Sequence, residues 1–386
     1  MNLCMYLPNG QSDTKIRAGI IGATGYAGAE IVRLLAAHPN VEIAWIGSRS
    51  NAGEQLSSIY KNLFRIVDLP LVDHEDPEPE TTADLPVREA ILKLAEETDV
   101  IFTATPQGAC AQLISEELLK KTRVIDLSAD FRLKDVSVYE KWYGIQHAAP
   151  EFLAEAVYGL TELKREKIRT ARILANPGCY TTCSILTAYP LIAEGLIDPD
   201  TLIVDALSGV SGAGRGAKTA NLYCEVNESV KAYGVASHRH TPEIEEQLTA
   251  ARRLHTPEAP EVLINFTPHL VPMNRGILAT EYASLIPDAD GAPVTDEKIR
   301  SAYEKYYGNE PFIRILPAGS CPETRFVEGS NYVDISWKID PRTGRIIAMG
   351  ALDNLMKGAA SQAVQNMNVM FGLPEGAGIS MIPMIP

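Results

Sequence analysis

The sequence predicts an α/β protein in two parts: an N-terminal doubly wound domain on a parallel sheet, then an α+β domain with a mainly antiparallel sheet. Three observations lead there. Over residues 15–47, short apolar runs flank a helix-periodic segment, the opening of a βαβ unit with a right-handed crossover. Beyond residue 195, β-rich stretches alternate apolar and polar residues, as in an antiparallel sheet with one exposed face. The length, 386 residues, suits two domains of roughly 100–200 residues each.

In order, residues 15–21 read as a short buried strand, a glycine-rich turn follows, and apolar periodicity predicts a helix from Tyr26 to Ala37. VEIAWIGSRS (41–50), DVIFTATPQG (99–108) and TRVIDLSADFR (122–132) read as further strands ending in small or polar residues. The acidic, Pro-rich DHEDPEPETTADLP (73–86) reads as a mobile surface loop inside an insertion over 73–97. CSILTAYPLIAEGLI (183–197) reads as a helix, and TLIVDALSGVSGAGR (201–215) as a strand entering a Gly/Ser loop. VLINFTPHLVPMNRGILATEYASLI (262–286) supplies the alternating strands, and DEKIRSAYEKYYG (296–308) a charged surface helix. YVDISWKIDPRTGRIIAMGALDN (332–354) predicts a hairpin around Pro-Arg-Thr-Gly, before a helix rich in small residues over 354–371.

A net charge of −14 argues against a general nucleic-acid or membrane-surface binder, since phosphate backbones demand a basic face. One local Arg cluster would still serve a small anion. No stretch approaches 18 uninterrupted apolar residues, and the N-terminus has no basic segment followed by a long apolar run, so neither a membrane span nor a secretory signal is expected. Six cysteines scattered through so long a chain are no disulfide scaffold, and a cytoplasmic location is expected.

GATGYAG places Gly22, Gly25 and Gly28 between a strand and a helix. Glycine permits the tight turn and the close approach of backbone to a pyrophosphate, and the helix N-terminus offers free N–H groups. Such turns also occur merely to pack a helix on a strand; the flanking elements favour a Rossmann dinucleotide-binding domain, with Thr24 and Tyr26 in the turn. NAD sites place an acid at the end of the second strand, whereas here Ser48 and Arg49 suit a 2′-phosphate, so NADP is the expected cofactor.

In NPGCYTTC, Cys179 follows a sharp turn at the predicted start of a helix, a setting that lowers a thiol pKa from ~8.5. Cys183, one turn deeper, reads as structural. His238 and His240, in ASHRHTPEIEEQL, would point the same way from an extended segment into one cleft, and a protonated histidine there would favour the thiolate. The cysteine spacing does not fit a zinc knuckle and nothing completes a ligand set, so no metal is expected. The loop SGVSGAGR resembles an anion cradle in which Ser208, Ser211, Gly212 and Arg215 are candidate substrate ligands, and NRGILAT adds Arg275.

Together GATGYAGAEIVRLL, DLSADFRL, VYGLTEL, NPGCYTT, SGVSGAGR, HRHTPEIEEQL, NRGILAT, GSNYVDI and ALDNLMKGAASQAVQNMN resemble the N-acetyl-γ-glutamyl-phosphate reductases of arginine biosynthesis, from about residue 15 to 374. That family is related to the aspartate-semialdehyde and glyceraldehyde-phosphate dehydrogenases. The resemblance implies an NADP-binding Rossmann domain over 15–178 and 353–386, and a catalytic and oligomerisation domain over 179–352. It implies NADPH-dependent reduction of a small acyl phosphate through a thioester on Cys179, with His238 preferred over His240 as acid/base. It also implies Asn354 near the nicotinamide and a homodimer or homotetramer. The alternative is a paralogous reductase of lysine or ornithine biosynthesis whose glutamyl or aminoadipyl phosphate rides on a carrier protein; the net charge of −14 favours the free small substrate.

Overall fold

A computed structural model of the chain describes residues 15–75, 87–288 and 290–385. Of the acidic insertion, 76–86 lie outside the described residues, together with the mobility expected there. Beyond the segment read as a loop, the insertion continues as a helix, Val87–Ala95.

The buried apolar runs of the first half pair as one parallel sheet: β1 (Ile16–Ile21), β2 (Val41–Gly47), β3 (Leu71–Val72), β4 (Val100–Thr103), β5 (Arg123–Asp126), β6 (Val157–Tyr158) and β7 (Ile173–Ala175), in the order β3-β2-β1-β4-β5-β7-β6. The order reverses between β1 and β4, where a crevice opens beyond the strands' carboxyl ends. Gly19 sits inside β1 because the Trp45 indole of β2 lies across it; a Cβ there would stand 2.3 Å from the ring. The predicted first helix is Tyr26–Ala36.

The second sheet comprises β8 (Ile197–Gly209), β9 (Lys231–Ala232), β10 (Asn265–Val271), β11 (Ile277–Leu285), β12 (Ile313–Ile315), β13 (Val333–Asp340) and β14 (Arg345–Leu352), ordered β12-β13-β14-β11-β8-β10-β9. It is mixed but mainly antiparallel: only β8/β10 and β12/β13 run parallel. The Pro-Arg-Thr-Gly hairpin joins β13 to β14 as expected. The sequential β10 and β11 are not neighbours, because β8 inserts between them.

One face of this sheet packs on the Cys179–Ala193 helix, which is itself covered by the Thr241–Arg252 and Asp296–Tyr307 helices. Every residue from Tyr180 to Ala193 is buried, so this helix is enclosed all round rather than amphipathic, its Thr181, Thr182, Ser184 and Thr187 included. The C-terminal Ser361–Met370 helix is equally buried despite its polar sequence. Its Gln362 donates to Thr182 (2.9 Å), and Asn366 donates to the Gly159 carbonyl (2.7 Å) and to Asn176 (3.1 Å). A π-helical turn, Met356–Ala360, leads into it. Met356 and Ala360 of the turn, with Val364 and Met367 of the helix, join the core of the Tyr26–Ala36 helix. No helix among the described residues is long and apolar enough to cross a membrane.

Candidate active site

A cleft of about 1440 Å³ runs from the glycine turn to the start of the Cys179 helix. It brings together most residues singled out in the sequence: Gly22, Thr24, Gly25, Tyr26, Ser48, Arg49, Cys179, Ser208, Ser211, Gly212, Arg215, His238, His240 and Asn354. Gly28 and Arg275 do not line it.

At one end, the turn needs its glycines. Gly22 has φ +82°, and a Cβ on it would lie 2.3 Å from the Ala104 carbonyl oxygen at the end of β4. A Cβ on Gly28 would lie 2.2 Å from the Gly22 carbonyl, so Gly28 serves helix–strand packing behind the turn. The Thr24 and Ser48 hydroxyls meet at 3.2 Å. Arg215 reaches the Thr24 carbonyl (3.4 Å) and lies over the Tyr60 ring (5.6 Å). It therefore stands beside the glycine turn, on the nucleotide side of the cleft and not in an anion cradle by the cysteine. Hydroxyls, two guanidinium groups, a glycine turn that only glycine can make and a helix N-terminus fit a phosphorylated dinucleotide.

At the other end, Cys179 is the first residue of its helix, after Gly178. The backbone N–H groups of Tyr180 and of Cys179 itself favour its thiolate, and so does the Arg132 charge, but burial outweighs them and pushes the thiol up to about 11. The pull expected from the helix N-terminus, worth about half a charge, is thus outweighed by desolvation, which favours the neutral thiol. Burial also keeps both histidines neutral, His238 down to about 4 and His240 well below its usual value, with Arg239 against each and Arg132 also against His240. Protonated histidine is therefore not what would ionise Cys179.

His238 and His240 do face one cleft, their rings 4.8 Å apart, but the segment is a turn, not a strand, and His240 caps the Thr241–Arg252 helix. The Nδ1 of His238 accepts the His240 backbone N–H (3.1 Å), and its ring packs edge-on against Tyr180, Tyr233 and Phe266. The Nε2 of His240 presses on Gly178: a Cβ there would stand 2.4 Å from it, and 2.9 Å from Arg132. Its Nδ1 is buried without a partner.

The SGVSGAGR loop is held from below. Ser211 donates to the Asn274 carbonyl (2.6 Å) and Ser208 to that of Gly209 (3.0 Å). Asn354 donates to Ser211 (3.0 Å) and accepts the Gly276 N–H (2.8 Å), so its amide ties two loops together. Arg275, a candidate substrate ligand in the sequence, pairs instead with Glu30 (3.1 Å) and Asp353 (3.4 Å) behind the cleft. A guanidinium in a glycine-flanked loop looks the same in sequence whether it binds a ligand or braces a helix.

Sequence reasoning missed Arg132 and Glu243. Arg132, buried, lines the cleft, donates to the Leu127 carbonyl (2.9 Å) and pairs with Glu243 (3.3 Å), while its Nε has no partner. The other Glu243 oxygen accepts from the Gly178 N–H (3.0 Å), Thr181 (2.8 Å) and Tyr158 (2.7 Å), fixing the turn that presents Cys179. Both lie in stretches already notable, DLSADFRL and HRHTPEIEEQL; what was missing was that one carboxylate joins them 111 residues apart. Gly358 of the π turn completes the setting, because a Cβ there would stand 2.8 Å from that of Cys179. Among the described residues no group of three or more His, Cys, Asp or Glu is placed to hold a metal ion.

Comparison with known proteins agrees with this architecture. Residues 17–171 match the semialdehyde dehydrogenase NAD binding domain, and 179–354 the semialdehyde dehydrogenase dimerisation domain. Among solved structures, aspartate semialdehyde dehydrogenase II of Vibrio cholerae, in complex with ASA, superposes with TM-score 0.64 over 93% of this chain and 99% of its own, at 18% identity. The Candida albicans aspartate semialdehyde dehydrogenase with NADP does so with TM-score 0.59 over 93% and 99%, at 17% identity. These two share the fold. Nearer relatives are the N-acetyl-γ-glutamyl-phosphate reductases of Lachnospira eligens, 59% identical over 96% of this chain and 100% of theirs, and of Campylobacter jejuni, 51% identical over 95% and 98%. At 51–59% identity over 95–96% of its length, the chain belongs to the N-acetyl-γ-glutamyl-phosphate reductase family.

Proposed function

We propose that the protein reduces N-acetyl-γ-glutamyl phosphate to N-acetylglutamate 5-semialdehyde, with release of phosphate, in arginine biosynthesis. The observation behind this reading is one cleft that joins a nucleotide turn to a cysteine flanked by neutral histidines and a buried arginine. The names of the relatives favour the free small substrate over a carrier-bound one. NADPH would be held by Gly22–Tyr26, Ser48, Arg49 and Arg215; when bound it supplies the hydride.

The resting thiol attacks the acyl carbonyl, and as the S–C bond forms its proton passes to a neutral imidazole. We assign this role to His240, because its Nε2 lies against Gly178 beside the nucleophile while the His238 Nδ1 is already engaged by backbone. The carbonyl-to-phosphate C–O bond breaks and phosphate leaves with the electron pair, taking the proton from the imidazolium as hydrogen phosphate, its remaining charge met by the buried Arg132 guanidinium at this end of the cleft. The thioester splits one hard reduction into two easier steps. After reduction, the oxyanion re-forms the carbonyl, the C–S bond breaks, and the departing sulfur takes up a solvent proton relayed by the neutral imidazole, which restores the thiol. Glu243 and Gly358 hold Cys179 for this sequence, and Asn354 and Ser211 shape the wall opposite.

A homodimer or homotetramer is the working form in this reading, supported by the partly exposed alternate residues of β8 and β11 and by the match to a dimerisation domain. Five described cysteines, all free thiols, accord with a cytoplasmic enzyme.

The reverse reaction tests the proposal. With N-acetylglutamate semialdehyde, phosphate and NADP⁺, reduced nicotinamide should appear only when phosphate is present, and not with Cys179→Ala. Turnover that survives Cys179→Ala would overturn the mechanism.

A further inference from the structure

The end of β2 offers Ser48 and Arg49 where a ribose-binding acid would stand in an NAD site, yet an acid is present. It arrives from the neighbouring strand. β3 pairs with β2 through Ile46↔Leu71 and Gly47↔Val72, and the Ser48 N–H donates to the Val72 carbonyl (3.0 Å). This register brings the turn after β3 alongside Arg49. There Asp73 accepts the Glu75 backbone N–H (2.9 Å), and the Glu75 carboxylate pairs with the Arg49 guanidinium at 3.0 Å. Both line the mouth of the cleft, with His74 between the acid and the strand end; the His74 Nδ1 is buried without a partner, 3.5 Å from where a Cβ on Gly47 would sit.

We infer that Glu75 is a selectivity residue for the cofactor, competing with the adenosine 2′-phosphate for Arg49. The inference rests on the dinucleotide reading above. A 2′-phosphate entering beside Thr24 and Ser48 displaces the Glu75 carboxylate from Arg49 and then stands near it, a like-charge contact that a 2′-hydroxyl does not meet. Glu75 therefore narrows the preference that Ser48, Arg49 and Arg215 would otherwise give for the phosphorylated cofactor. The Arg49 side chain is 70% exposed and that of Glu75 34%, so the pair is solvent-screened and its effect modest.

Titration calorimetry on the full chain tests this with NADP⁺, NAD⁺ and adenosine 2′,5′-bisphosphate, a probe that carries the phosphate without nicotinamide. Glu75→Gln should tighten NADP⁺ and the bisphosphate by about two- to fivefold and leave NAD⁺ within error, so that the NAD⁺-to-NADP⁺ ratio of Kd rises by that factor. Arg49→Gln in the same variant should abolish the gain. An unchanged or falling ratio in Glu75→Gln would overturn the inference while NADP⁺ binding itself stood. Failure of either nucleotide to bind the unaltered chain would overturn the dinucleotide reading, and this inference with it.

Discussion

Desolvation at the start of its helix favours the neutral thiol of Cys179. Alkylation by iodoacetamide, followed at the Cys179 peptide by mass spectrometry because Cys224 and Cys321 are exposed, should show this directly. The folded pKa is raised, so the reactive thiolate is scarce at neutral pH and grows as pH rises. Its labelling rate should climb through pH 10 towards a midpoint of about 11, where a free thiol levels off near ~8.5. A plateau below pH 9 would mean that the thiolate is already formed and that the histidines need not accept a proton. Gly178 is the second sensitive residue. Its substitution by alanine drives a methyl into His240 and Arg132, so kcat should fall by about 10²-fold, the cost of a roughly 1 Å displacement of reacting groups. Unchanged turnover in a folded Gly178→Ala variant would contradict the assigned role of His240. NPGC and HRH were both legible as chemistry in the sequence. Their charge states were not, since desolvation depends on neighbours that the fold brings in from elsewhere, as Tyr180 and Phe266 are brought to His238.

At the scale of elements, the turn before the C-terminal helix is the least expected. Met356–Ala360 winds as a π turn, and its Lys357 is fully buried, 2.5 Å from the Glu162 carboxylate and 2.7 Å from Gln365. π turns gather at functional sites, and this one carries Gly358 against Cys179. Lys357→Met should destabilise the protein by about 3–5 kcal/mol in chemical denaturation, because it strands the Glu162 charge in the core. Replacing Glu162 by leucine as well should restore most of that loss; if the double variant were no better, the penalty would lie in packing and not in charge. In the sequence this segment reads as small and polar, and nothing local distinguishes a buried polar helix from an exposed one. The difference lies in partners such as Thr182 and Gly159, which lie far away in the chain.

Across the whole molecule, the second sheet covers only one face with helices. On the other, Ile203, Tyr282 and Ile347 form a row across β8, β11 and β14, and the Asp205 carboxylate lies 3.0 Å from the His269 Nδ1. In the oligomeric reading proposed above, this partly apolar face is where a second copy would dock. Tyr282→Arg should shift the sedimentation coefficient from that of the oligomer to that of a 42.0 kDa monomer. Sedimentation unchanged from the parent would put the interface elsewhere. The alternation of apolar and polar residues along β8, β10 and β11 is enough to mark a one-sided sheet. It does not reveal that β8 separates two strands adjacent in sequence, because strand order is set by packing over the Cys179 helix and not by the strands' own pattern.

By itself, the sequence determined the architecture and the reactive groups. Periodicity and glycine placement are local properties, so the βαβ opening, the NPGC turn, the histidine pair and the hairpin at Pro341–Gly344 could be read directly. Tertiary structure alone decided what those groups meet. It withdrew Arg275 into a clamp with Glu30 and Asp353, moved Arg215 to the nucleotide turn, brought Arg132 and Glu243 beside Cys179, and laid Glu75 on Arg49. The reason is physical: a charge takes its role from its nearest opposite charge and from the water around it, and both are settled by contacts between segments that the chain order keeps apart.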